Sequence, residues 1–143
     1  MVIIVENDSD TMFLFKTNLE IDGVDLNKVM FIKNNKEFQV LVNSGQASEV
    51  TAAFIDHDLS PQFDTPIFPV ATGGDILGIL KLNGYSGKTY TISAYGKDQE
   101  KFIKERFGDP EITVIPKTPS NSKLIIESIK KEVENEGLKM TIK

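Results

Sequence analysis

The residues Glu6-Asn7-Asp8, Asp56-His57-Asp58, Ser93 and Lys117 have the side chains that phosphoryl or divalent-cation chemistry needs. Carboxylates are hard oxygen ligands suited to Mg²⁺. A carboxylate can also attack phosphorus, provided the charge on the transferring group is neutralised. An ammonium and a hydroxyl are groups that would hold phosphoryl oxygens. Each of these residues has an ordinary use as well. An aspartate after a strand is most often a turn or cap residue, and Glu6 or Asp8 could simply favour the start of a following helix. A lone serine usually caps and a lone lysine usually meets solvent. The chemistry therefore depends on whether the fold brings these residues together.

The elements that would do so alternate along the chain. Val2–Val5 is a short β-branched run of the kind found in strands buried on both faces. Residues 10–21 read as a helix, with Phe15 and Leu19 one turn apart and Gly23 beyond its end. Residues 28–32 make a second strand, 35–42 a short helix stopped by Gly45, and 51–55 a third strand. The segment 57–71 carries Pro61, Pro66 and Pro69, which exclude a regular helix or central strand. Thr72 is placed to cap a helix over 76–82 that ends at Gly84. Residues 88–92 form a fourth strand, 98–107 a helix stopped by Gly108, and 112–115 a fifth strand. Ser120 can cap a last helix, in which Ile125, Ile129 and Val133 recur at helical spacing and which Gly137 ends.

This alternation predicts an α/β fold: a doubly wound five-stranded parallel sheet, flavodoxin-like in its order 2-1-3-4-5, with helices on both faces. Sites in such sheets form outside the carboxyl ends of the strands, where the winding reverses. Glu6, Asn7 and Asp8 follow the first strand, Asp56 and Asp58 the third, Ser93 and Ala94 the fourth, and Lys117 the fifth. These positions converge on one edge. His57, by the alternation of side chains along a strand, is expected to point away from Asp56.

Composition bounds the function. The 143 residues suit one core, and 40% hydrophobic with 26% charged residues argues against disorder. No apolar run approaches the ~20 residues of a membrane span, and the N-terminus lacks a signal-peptide pattern. The absence of Cys excludes disulfides and thiolate metal sites and is consistent with a cytoplasmic location. A net charge of −5 lacks the basic footprint of duplex binding, so neither nucleic acid nor membrane is an expected partner.

The stretches IIVENDSD, AAFIDHDLSP, GGDILGIL, TISAYG and VIPKTP, in that order and at that approximate spacing, resemble the receiver domain of two-component response regulators. The likeness runs from Met1 to about Glu134. It implies that Asp56 accepts a phosphoryl group from a phosphohistidine, with Ser93 bonding a phosphoryl oxygen and Lys117 pairing with the group. Small Ala94 would leave room beside Ser93. Mg²⁺ would be held by Glu6, Asn7, Asp56 and the main-chain carbonyl of Asp58. The implied partners are a sensor histidine kinase or phosphotransfer protein and a downstream protein target. The implied contact surface is the face of the fourth and fifth helices with the last strand, where Phe102, Ile103 and Phe107 lie. The expectation is a stand-alone, atypical receiver domain over 1–136 with a tail over 137–143.

Four departures accompany the likeness. Asn7, a neutral oxygen donor, stands where the carboxylate that ligates the metal directly is usual, which predicts a weak Mg²⁺ site. Thr118, not proline, follows Lys117. Val114 replaces an aromatic on the fifth strand, leaving Tyr95 as a candidate reporter. The proline-bearing loop is long. They keep open a receiver-like interaction module that works without phosphorylation. A second resemblance, to toprim domains, would make Glu6, Asp56 and Asp58 the acid/base and metal ligands of a nucleic-acid enzyme. It lacks the glycine after the glutamate and leaves Ser93 and Lys117 without a role.

Overall fold

The computed structural model describes residues 1–57, 59, 73–93, 100–109 and 111–142. The expectations for Asp58, the prolines of the long loop, Thr72, Ala94 and Tyr95 lie outside these residues, as does the side chain of Phe102. The elements are β1 (Val2–Val5), α1 (Ser9–Ile21), β2 (Val29–Ile32), α2 (Asn35–Asn43), β3 (Ala52–Asp56), α3 (Gly73–Leu82), β4 (Lys88–Ser93), α4 (Glu100–Phe107), β5 (Thr113–Pro116) and α5 (Ser122–Ile142). Short 3₁₀ turns cover Leu26–Lys28, Gln46–Glu49 and Pro119–Asn121.

The five strands pair in parallel in the order β2-β1-β3-β4-β5. Both sides of the sheet are covered, so its central strands are buried on either face, and even the Thr89, Thr91 and Ser93 side of β4 is closed off from solvent. Val2, Ile4, Phe54, Tyr90, Ile92 and Ile115 pack with Met12, Phe15 and Leu19 of α1 and with Ile125, Ile129 and Val133 of α5. Alternate strand residues, among them Ile3, Val5, Ile55 and Val114, pack with Phe38 of α2, Leu77 of α3 and Phe107 of α4. Period-2 alternation in the strands thus feeds two cores, and helices of 3.6-residue period close each one.

Local chemistry fixes several helix ends. Asp8 caps α1, its carboxylate accepting from the Thr11 N–H at 3.2 Å. Asn34 caps α2 through the Glu37 N–H at 2.9 Å. Beyond α2 and α3 the chain reverses at Gly45 (φ +76°) and Gly84 (φ +96°), left-handed positions where a side chain would be strained.

The C-terminal boundaries differ from the sequence reading. β5 begins and ends one residue later than 112–115, so Pro116 is its last residue. The last helix starts at Ser122 and not after a Ser120 cap, because 119–121 form a 3₁₀ turn in which Ser120 Oγ meets Thr118 Oγ1 at 3.0 Å. Gly137 does not end α5, which continues to Ile142. A glycine inside a helix costs only about 1 kcal/mol, and a flanking run of helix formers carries the turn through it. No helix among the described residues is long and apolar enough to cross a membrane.

Candidate functional site

Strand register brings the acidic pair together. Val5 of β1 lies opposite Ile55 of β3, so the next residues, Glu6 and Asp56, emerge side by side at the carboxyl edge. Both are buried, Asp56 to 2% and Glu6 to 1% exposure. From β5, Lys117 reaches back over β4. Its Nζ stands 3.5 Å from Asp56 Oδ2 and 3.7 Å from Glu6 Oε2, with the side chain 36% exposed. One ammonium therefore bridges two buried carboxyl groups at the mouth of the sheet.

The electrostatics follow from that crowding. Glu6 Oε1 accepts the Asp8 N–H at 3.0 Å, while Oε2 makes no hydrogen bond among the described residues. Burial, followed by the negative charge of Asp56, pushes the Glu6 carboxyl up to about 8. Burial by itself would lower Lys117, yet attraction to Asp56 and Glu6 outweighs it and holds the ammonium above its ordinary value. The Asp8 carboxyl is lowered, chiefly by the Thr11 hydroxyl, and its work is helix capping.

The backbone around Asp56 is tightly built. His57 N–H donates to the Ile92 carbonyl at 3.1 Å, and Gly73 N–H donates to the His57 carbonyl at 3.0 Å, which draws the start of α3 against the strand. A Cβ on Gly73 would lie 2.3 Å from the Asp56 carbonyl oxygen, so only glycine fits. The His57 ring is buried against Phe107, centroids 5.9 Å apart, on the α4 side of the sheet, as strand alternation requires.

Ser93 is fully buried at the end of β4, one residue past the Ile92 that pairs with Asp56. Its carbonyl accepts the Lys117 N–H at 2.7 Å, so its main chain anchors the lysine. Asn7 is partly exposed next to Glu6. The structure thus brings Glu6, Asp56 and Lys117 into contact, with Ser93 on the neighbouring strand end. Two residues to which the sequence assigned no site role belong here: Gly73, against Asp56, and Asn121, whose side-chain amide donates to the Pro116 carbonyl at 2.9 Å. The Gly73-Gly74 pair opening a helix is a sequence signal for the first. Asn121 has none.

The donors suit a hard cation. Glu6 Oε2 and the Asp56 carboxylate offer buried oxygens, and Asn7, next to Glu6 in the chain, carries a neutral one. The described residues contain no cluster of three or more His, Asp or Glu side chains able to hold a metal. Asp58 lies outside those residues.

No protein-family model matches the sequence, and no curated protein matches it. Solved structures do. The receiver domain protein (CheY-like) from Methanospirillum hungatei covers 96% of this chain and 96% of its own, at 18% identity and a TM-score of 0.57. The non-phosphorylated HemR receiver domain from Leptospira biflexa covers 92% of each chain at 18% identity, with a TM-score of 0.61. The response regulator TrrA from Thermotoga maritima, in complex with Mg²⁺–BeF, covers 92% of this chain and 96% of its own, at 18% identity and a TM-score of 0.58. The chain has the receiver-domain fold. In that fold the carboxyl edge bearing Glu6, Asp56 and Lys117 is also the edge where a doubly wound sheet forms its sites.

Proposed function

We propose that this receiver-fold domain accepts a phosphoryl group on Asp56 and passes the signal on by protein–protein contact. The observation that carries the reading is the Lys117 ammonium held 3.5 Å from Asp56 and 3.7 Å from Glu6. A buried carboxylate with an adjacent fixed cation can attack phosphorus, since the cation offsets the charge that accumulates on the phosphoryl oxygens. An Asp56 oxygen forms the new P–O bond as the donor's P–N or P–O bond breaks, and the donor keeps the electron pair. Lys117 then turns from Asp56 toward the transferred group. Ser93 offers a hydroxyl and Ala94 the space beside it. Glu6, Asp56, Asn7 and the Asp58 carbonyl would hold Mg²⁺, which when bound supplies further positive charge to the phosphoryl oxygens. The donor would be a histidine kinase or phosphotransfer protein in the cytoplasm, and the receiver of the signal a protein target. The Mg²⁺–BeF complex of TrrA supports the metal assignment by likeness of fold.

Incubation with Mg²⁺ and acetyl phosphate tests this. Intact mass spectrometry should find one added phosphoryl group in the wild type and none in Asp56→Asn. No gain in the wild type would leave the second reading, a module that binds its partner without phosphorylation. The observation favouring that second reading is Asn7, which removes a negative ligand from the metal site. The toprim-like reading gives no role to the Lys117 bridge and is not proposed.

A further inference from the structure

We propose that Asn121 is the positioning residue that aims Lys117 into the acidic site; the inference rests on the reading of Lys117 as the cation that serves Asp56. Asp56 ends β3 and Lys117 lies one residue past the end of β5, with β4 between the two strands. Two strand spacings are ~10 Å, so the lysine stem spans the gap with little slack. A small rotation of the Lys117 backbone would swing its ammonium off both carboxylates. Something must therefore fix that backbone beyond the last rung of the sheet.

The last rung is the Lys117 N–H donating to the Ser93 carbonyl. Past it the chain turns sharply: the Thr118 N–H donates to the Pro116 carbonyl at 3.1 Å, two residues back, with Lys117 at the centre. An i→i+2 turn of this kind is closed by a single hydrogen bond over three residues. The residue after Lys117 is Thr118, whose φ no ring fixes. Asn121 supplies the missing constraint from both sides. Its Nδ2 donates to the same Pro116 carbonyl at 2.9 Å, and its N–H donates to the Thr118 carbonyl at 3.0 Å. The carbonyl before Lys117 and the carbonyl after it are thus tied to one residue. Neither bond touches Asp56 or Glu6, so the route from Asn121 to the acidic pair runs through the Pro116–Thr118 backbone that carries Lys117.

The test uses the full chain, with Asn121→Ala and Asn121→Asp, the latter matching the amide in size but lacking its donor. One arm does not depend on phosphorylation. In ¹H–¹⁵N spectra of side-chain ammonium groups, the Lys117 signal should be visible in the wild type at low temperature and lost in both variants. A wild type without the signal, or variants that keep it, would overturn the proposal.

The second arm is the rate of acetyl-phosphate-driven mass gain. Each variant should slow it roughly tenfold, the effect of about one hydrogen bond's worth of misorientation. In a Lys117→Met background the same substitutions should change nothing further. An additive loss there would mean that Asn121 merely supports the fold. A wild type that takes no phosphoryl group at Asp56 would defeat the functional reading, while the ammonium signal would still decide the positioning.

Discussion

Glu6 is the residue whose surroundings constrain the site most. Its carboxyl is buried beside a second carboxylate, and both forces favour its protonated form, hence a value of about 8. In the unfolded chain it titrates near 4.5. Between those limits the folded state binds the proton that the unfolded state has released, so this contribution to stability is present in acid and is lost as pH rises toward about 8. Without divalent cations, the melting temperature should therefore fall between about pH 5 and pH 8, and Glu6→Gln should flatten that slope. Equal slopes in the two proteins would mean that Glu6 is not held as described. Lys117 works in the opposite sense: Lys117→Met should slow phosphorylation tenfold or more, as removal of a fixed charge from a reacting group does. The acidic residues and the lysine are visible in the sequence because each follows a strand. Their ranking is not. Glu6 and Asn7 are neighbours in the chain, yet the pleat buries one and leaves the other partly exposed. Asp8, the other carboxyl-bearing residue of that tripeptide, goes to a helix cap.

At the scale of elements, α3 and α5 fix the sheet around the site in different ways. The start of α3 lies directly on the Asp56 carbonyl, with no room for a methyl group. Gly73→Ala should accordingly push the helix or the strand aside, destabilising the fold by roughly 1–3 kcal/mol in denaturant titration. It should also lower the yield of phosphorylated Asp56; full stability and full yield together would contradict the close approach. Midway along β4, Tyr90 Oη donates to Glu132 Oε1 at 2.7 Å, tying β4 to α5, and its ring stacks on Phe54 at 4.4 Å. Tyr90→Phe leaves a buried carboxylate without that donor. It should cost about 1–3 kcal/mol while phosphorylation is kept, since the bond joins β4 to α5 and involves none of Glu6, Asp56, Ser93 and Lys117. Strands and helix centres were readable from apolar periodicity, and helix ends where a left-handed glycine follows. Gly137 misleads because a glycine marks a helix end only when the chain turns there, and nothing local makes it turn. The turn at 119–121 is set by one side-chain bond, from Asn121 to the Pro116 carbonyl, and one main-chain bond, from the Asn121 N–H to the Thr118 carbonyl, which periodicity cannot register.

On the scale of the whole molecule, a parallel sheet in the order 2-1-3-4-5 holds at 18% identity to the solved receiver domains. The two-sided core explains how: many apolar sets can fill it, provided that the strand alternation and right-handed crossovers persist. The site is less tolerant, because it needs particular side chains at particular strand ends. Millimolar Mg²⁺ should raise the melting temperature of the wild type by binding the native site. The rise should be absent in Asp56→Asn, and an equal rise in both would point to binding elsewhere. The most direct measurement of the central claim is the location of the phosphoryl group. After treatment with acetyl phosphate and Mg²⁺, borohydride reduction converts an aspartyl phosphate to homoserine, which peptide mass mapping can place. Asp56 as the residue converted is the predicted result. Conversion at a different aspartate, or none at all under conditions that phosphorylate a known receiver domain, would contradict it.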